Sequence, residues 1–216
     1  DGRQWMRRSP GLLAVWLVAV APGLAVSPHA AGPPQSPSAA PASAAQTEIA
    51  FLRAAAQAVA HGKRGEAEAL ARSKTLEGFW GRVCPNFGSR AFIAFSRMPA
   101  LRELGVGCQS VGDEALSTLP AFPALRELTP IGMKDDAFRH IGRCDKLERL
   151  TCMYCRETTD AATEHIAGLG IKYYYAGLTK ITDRSLEILG RMPLLEQIEL
   201  YECNGVTDAG LVFLAA

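Results

Sequence analysis

The sequence predicts an α/β solenoid of about six stacked repeats, with a parallel concave sheet on one side and helices on the convex face. Two columns of residues with one shared period predict it. Leucine-type positions recur at Leu76, Leu101, Leu125, Leu147, Ile171 and Leu195, spaced 25, 24, 22, 24 and 24 residues apart. Aspartates recur at Asp113, Asp135, Asp160, Asp183 and Asp208, spaced 22, 25, 23 and 25, with Ser89 in the equivalent place of the earliest unit. A third observation fixes the second element of the unit. Three and six residues after each of these comes a pair: Phe92/Phe95, Leu116/Leu119, Phe138/Ile141, Thr163/Ile166, Leu186/Leu189 and Leu211/Leu214, apolar throughout except at Thr163.

The elements follow in chain order. Met6, Arg7 and Arg8 precede sixteen uncharged residues, Gly11 to Val26. A basic start before a short apolar run is the pattern of an export signal. A bilayer-spanning helix needs about 20 apolar residues, and Pro22 interrupts this run, yet a retained membrane anchor stays open. Residues 1–26 therefore read as signal peptide or anchor, predicting a periplasmic, extracellular or membrane-tethered chain. Residues 27–46 hold 5 Pro, 7 Ala and 4 Ser without a charge, the composition of an extended, disordered linker. Residues 47–64 read as a capping helix over the first repeat, with Ile49, Leu52, Ala56 and Val59 at helical spacing. Residues 65–216 are the repeats. The last pair falls just before Ala216, within the sixth helix, so either the array continues, the favoured expectation, or this edge meets another molecule.

Within a unit, Leu195-Glu-Gln-Ile-Glu-Leu-Tyr-Glu-Cys203 alternates apolar and polar residues as a half-buried strand does. The aspartate that follows has the short oxygen side chain of a helix N-cap, so Asp113, Asp135, Asp160, Asp183 and Asp208 are predicted caps. Such a unit cannot bury its apolar face alone, and stacking supplies the shared core. Pro130 lacks the N–H of a ladder residue, so a bulge is expected in the Leu125 unit.

Leu195 to Cys203 with Val206-Thr207-Asp208-Ala209-Gly210-Leu211 resembles a leucine-rich repeat of the cysteine-containing subtype. Leu147 to Cys155 with Thr159-Asp160 is similar, and the Ile171 unit keeps Ile181-Thr182-Asp183 but carries Thr179 at the cysteine place. Such repeats are familiar from the receptor arms of F-box proteins and from bacterial proteins with long TDAGL arrays. No F-box is apparent in Gln46 to Arg72, and a leader followed by repeats is closer to the bacterial type. The resemblance spans about residues 65–216. It implies the leucine-rich-repeat solenoid and a protein-binding role with diverse partners.

The cysteines divide on the same pattern. Cys84, Cys108, Cys155 and Cys203 fall on the repeat's cysteine column, and Cys152 takes an inward strand position, where a thiol packs as a small hydrophobe. Cys144 stands off the column and is the candidate reactive thiol. Cys152-Met-Tyr-Cys155 has CxxC spacing without the helix N-terminus of a redox pair or the second pair of a zinc site. His140 and His165, one repeat apart, read as a solvated column on the convex face. No nucleophile triad, phosphate loop or metal motif appears, so neither cofactor nor metal is expected. The alternative to a binding module is an enzyme or redox protein using Cys144 or the Cys152/Cys155 pair. A purely structural segment of a longer array is the other.

A partner would meet the outward strand positions. These read Glu103, Glu127, Arg149 and Tyr173 in one column, Trp80, Tyr175 and Glu199 in the next, and Arg82, Met153 and Tyr201 in the third. Tyrosine, tryptophan, methionine and arginine are the types enriched at interface hot spots. The partner predicted is a protein or peptide with an aromatic-accepting, partly basic surface. The chain carries 23 Lys+Arg against 22 Asp+Glu, a net +1. Removing Arg3, Arg7, Arg8 and Asp1 leaves 20 against 21 after residue 46, or −1. That balance excludes a nucleic-acid binder acting through a basic field.

Overall fold

Alternating apolar residues put one face of each strand inward, and every strand of the array leans on the one before it. The computed structural model describes residues 14–17, 70–81 and 87–215. Its strands are β1 (Ala14–Leu17), β2 (Gly78–Gly81), β3 (Glu103–Gly107), β4 (Glu127–Ile131), β5 (Arg149–Met153), β6 (Tyr173–Gly177) and β7 (Gln197–Tyr201). They form one parallel sheet in sequential order, β1 to β7. Between the repeat strands come α1 (Ser89–Phe95), α2 (Asp113–Leu116), α3 (Asp135–Ile141), α4 (Asp160–Ile166) and α5 (Asp183–Leu189), and α6 (Asp208–Leu211) follows β7. The molecule is an α/β solenoid.

One segment lies where the apolar leader gave no reason to expect it. Ala14–Leu17 stand at the sheet's edge, paired in parallel with β2 from Ala14↔Gly78 to Leu17↔Gly81. The linker at 27–46, the capping helix predicted at 47–64, Arg82 and Cys84 lie outside the described residues. Among the described residues no helix is long and apolar enough to cross a membrane.

The core is the inward strand residues meeting the helix pairs. Leu104, Val106, Leu150, Cys152, Tyr174 and Ala176 have no exposed surface, and Leu128 almost none. Against them lie Phe92, Phe95, Phe138, Ile141, Ile166, Leu186 and Leu189, also fully or nearly fully buried. Toward the N-terminal end, aromatic rings fill the space. Phe79 and Phe87 both meet Phe95 edge-on, at centroid distances of 4.9 and 5.3 Å. Thr163, the polar member of its pair, is buried with its hydroxyl donating to the Asp160 carbonyl at 2.9 Å and paired with the Ser185 hydroxyl.

A backbone device sets the spacing of the strands. The carbonyl just before each strand's first outward residue accepts two N–H groups from the next repeat. Glu77 takes Arg102 and Glu103, Arg102 takes Arg126 and Glu127, Arg126 takes Glu148 and Arg149, Glu148 takes Lys172 and Tyr173, and Lys172 takes Glu196 and Gln197. At the other end of the strand the chain turns through the left-handed region, at Gly132 (φ 68°), Tyr154 (φ 54°), Leu178 (φ 58°) and Glu202 (φ 52°). A non-glycine residue there carries a steric cost, so the neighbouring repeats hold that turn in place.

The bulge expected at Pro130 is not formed. Pairing between β4 and β5 runs Glu127↔Arg149, Leu128↔Leu150 and Ile131↔Met153, one constant offset with the rungs at Thr129 and Pro130 missing. The proline deletes rungs without adding a residue, because the other rungs and the flanking core leucines hold the register. Its carbonyl accepts the Cys155 thiol at 3.2 Å.

The aspartates are not the N-caps. Thr159, Thr182 and Thr207 are, each accepting the N–H two residues on, and Asp160, Asp183 and Asp208 follow one position inside. Before Asp113 and Asp135 the caps are Gly112 and Lys134, with no side-chain bond. Three of the carboxylates are engaged by the next repeat instead. Asp135 takes the Thr159 N–H at 2.7 Å and its hydroxyl at 2.6 Å. Asp160 takes Thr182 N–H at 2.8 Å, its hydroxyl at 2.7 Å and the Ser185 hydroxyl at 2.6 Å. Asp183 takes both groups of Thr207 at 2.7 Å.

Burial pushes the Asp160 carboxyl up, but the bonds from Ser185 and Thr182 outweigh it and its pKa lies below the ordinary value. The Thr207 hydroxyl and N–H lower that of Asp183. A carboxyl depressed in the fold stabilises it above the unfolded pKa, near 3.9, and that contribution fades as pH falls through the folded value. Urea titrations should therefore show stability dropping below about pH 4, with a shallower drop in the Asp160→Asn/Asp183→Asn double variant. At neutral pH, Asp160→Ala should cost about 2 kcal/mol, since it strands the donors of Thr182 and Ser185. An unchanged urea midpoint would remove the aspartates from this role.

Candidate partner-binding face

Strand pairing arranges the outward residues into rows that cross the sheet, one residue per strand at a spacing of about 4.8 Å. Glu103, Glu127, Arg149, Tyr173 and Gln197 form the first. Trp80, Gly105 and Thr129 lead the second, and Thr151, Tyr175 and Glu199 continue it. Gly107, Ile131, Met153, Gly177 and Tyr201 form the third. Every predicted contact residue within the described chain faces this one side. Their exposure, however, differs along the array.

The half nearer the N-terminus is recessed. Trp80 is only 7% exposed, its indole lying over Gly105, where an added Cβ would come within 2.2 Å of the ring. A buried indole offers little surface to a partner, which sets Trp80 apart from its predicted role. Beside it, burial together with the neighbouring Glu127 pushes the Glu103 carboxyl up to about 7, against the lowering pull of Arg149. Near neutral pH this residue is a mixture of acid and carboxylate.

From β5 onward the face is open. The Arg149 guanidinium lies 3.8 Å above the centre of the Tyr173 ring, and its Nε is 3.5 Å from Glu127 Oε2. The Tyr175 phenol reaches over Gly177, where a Cβ would sit 2.6 Å from the hydroxyl. Tyr201, across from Gly177, is 54% exposed. Glu199 is exposed and accepts the Gln197 side-chain N–H at 2.6 Å. Burial first, then Glu199, pushes the Tyr173 phenol up to about 12. Tyr154 and Glu202, at the left-handed turns after β5 and β7, extend the open rim. Neither belonged to the predicted set, because strand alternation stops at β5 and β7; the recurring position just past each strand was the signal for them.

The thiols tell against a reactive centre. Cys144, the predicted reactive residue, is buried, its S–H directed to the His140 carbonyl at 3.4 Å, and desolvation pushes its pKa up to about 12. Cys108 is buried and likewise pushed up to about 12, and burial also raises Cys152 and Cys155. Cys152 and Cys155 are both free. The histidines separate as well. His165 is exposed, but His140 is buried rather than solvated, with Nε2 2.8 Å from Asp113 Oδ1. Lys134 stands where a threonine would clasp Asp113, so that carboxylate is left to His140 and Arg139. Among the described residues no group of three His, Cys, Asp or Glu side chains is placed to hold a metal ion.

No family model and no curated protein matches the sequence. A chain of the crystal structure of the Rad7 and Elc1 complex in yeast superposes with a TM-score of 0.54 and 15% identity. The match covers 69% of this chain and 43% of that one, so the chain spans less than half the neighbour's length. The likeness carries the fold.

Alkylation should follow burial. In the native chain Cys203, half exposed, should label ahead of Cys108, Cys144, Cys152 and Cys155 on peptide mapping, and all should label alike in denaturant. Rapid native labelling of Cys144 would restore it as a reactive thiol.

Proposed function

We propose that this chain is a non-catalytic protein-interaction module of the cysteine-containing leucine-rich-repeat type, binding a protein or peptide through the open face of β5 to β7. The observation that carries the reading is that Tyr173, Tyr175 and Tyr201 stand on one side of adjacent strands β6 and β7, beside Arg149 and Met153. Stacked repeats of this kind create extended surfaces that serve for binding. The superposed neighbour comes from a complex of two proteins, which supports the same direction. The burial and raised pKa of the thiols count against the thiol-enzyme alternative.

The basic start and apolar run at residues 6–26 support export of the module, or its retention on a membrane. Cleavage after that run would remove β1 and leave β2 as the sheet's edge. Intact mass of the exported protein distinguishes the two fates, and a protein found only in the cytoplasm with residues 1–26 intact would sink both.

Aromatic anchors at interface centres contribute about 2 kcal/mol or more each when truncated. The combined Tyr173→Ala, Tyr175→Ala and Tyr201→Ala variant should therefore lose captured partners in a pull-down while keeping its circular dichroism spectrum. Partners retained at wild-type levels would mean that the open face is not the binding surface.

A further inference from the structure

The open face holds the Arg149 cation already seated on a ring, and beside it stand two further tyrosines and two carboxylates. Arg149 lies on the Tyr173 ring with the Glu127 carboxylate at its side. A guanidinium is attracted to the face of an aromatic ring and completes its hydrogen bonding with a carboxylate, and its weak hydration eases the transfer. One step along the face, the Tyr175 phenol lies over Gly177, and Gly177 pairs with Tyr201 on the neighbouring strand. Tyr201 therefore stands on the strand next to the Tyr175 phenol, on the same side of the sheet. Glu199 faces outward directly across from Tyr175, and Glu202 follows Tyr201 through a left-handed turn. Both carboxylates are exposed, and neither has a cationic partner within ion-pair distance among the described residues.

Negative charge also shows in the phenols. Glu202 raises the Tyr201 pKa through a hydrogen bond and its charge, and Glu199 contributes to the rise at Tyr175 after burial, Cys203 and Tyr201. Among the described residues these carboxylates thus form no ion pair, whereas the Arg149 seat joins ring, carboxylate and cation.

We infer that this neighbouring site takes an arginine side chain of the partner protein, held on the rings of Tyr175 and Tyr201 between the carboxylates of Glu199 and Glu202. The inference rests on the binding face proposed above and adds the chemistry of what binds there. Arginine fits better than lysine because its planar guanidinium stacks and donates in two directions at once.

The test uses the full chain and a fluorescein-labelled octa-arginine peptide, read by anisotropy at near-physiological salt. The peptide should bind, and more tightly than octa-lysine. Tyr201→Ala should weaken it about two- to fivefold, the range expected for an exposed cation–π contact. The Glu199→Gln/Glu202→Gln variant, which removes charge without removing packing, should weaken it by at least as much. Glu114→Gln, at an exposed position on α2, should leave it within twofold. Absence of binding, indifference to Tyr201→Ala, or equal weakening by Glu114→Gln would overturn the inference, the last by revealing attraction without a seat. Any of these results alongside loss of partners in the tyrosine pull-down would leave the binding face standing and remove only the arginine.

Discussion

The interaction on which the array depends is a carboxylate of one repeat clasping the threonine of the next. Asp135, Asp160 and Asp183 each accept the threonine's N–H and hydroxyl together, and the same hydroxyl accepts an N–H of its own helix. One residue pair thus fixes the start of a helix and its offset from the preceding one. A solenoid has no contacts between distant repeats to average out errors, so offset must be set at each junction. Where Lys134 takes the threonine's place, the junction changes character. Asp113 turns to His140 and Arg139, and a surface-exposed carboxylate becomes partner to a buried imidazole.

The sheet translates this helix-side registration into a surface. Backbone bridges before each strand keep successive outward residues in one row, so Arg149 falls on Tyr173 and Tyr175 falls opposite Glu199. Glycine completes the arrangement at two places. Gly105 and Gly177 leave room for the Trp80 and Tyr175 side chains, which an added Cβ would meet at 2.2 and 2.6 Å. In the recessed half the indole closes the floor. In the open half the phenols stay accessible.

The cysteines belong to the same architecture rather than to a chemistry of their own. Cys155 and Cys203 direct their thiols at carbonyls of the preceding strand, at 3.2 and 3.4 Å. A buried thiol is a small apolar group with one weak donor, suited to a turn where a carbonyl would otherwise face the core. At Cys155 burial also raises the pKa of the thiol.

Periodicity alone determined the class of fold, because a core shared between identical units writes its spacing into the chain. The Leu76 to Leu195 column and the helix pairs mark that core, and alternation within each strand separated Tyr173, Tyr175 and Tyr201 from the buried Tyr174. The aspartate column was equally plain, but its partner was not. A short acid before a helix reads as a cap when only its own segment is in view, and the threonine it clasps lies 22 to 24 residues on. Tertiary structure likewise decided the thiols, the histidines and Trp80, since exposure is a property of neighbours. It also decided Pro130, where the remaining rungs and flanking leucines outweighed the proline's tendency to disrupt. Sequence specifies what repeats; packing between one repeat and the next decides what each repeated residue touches.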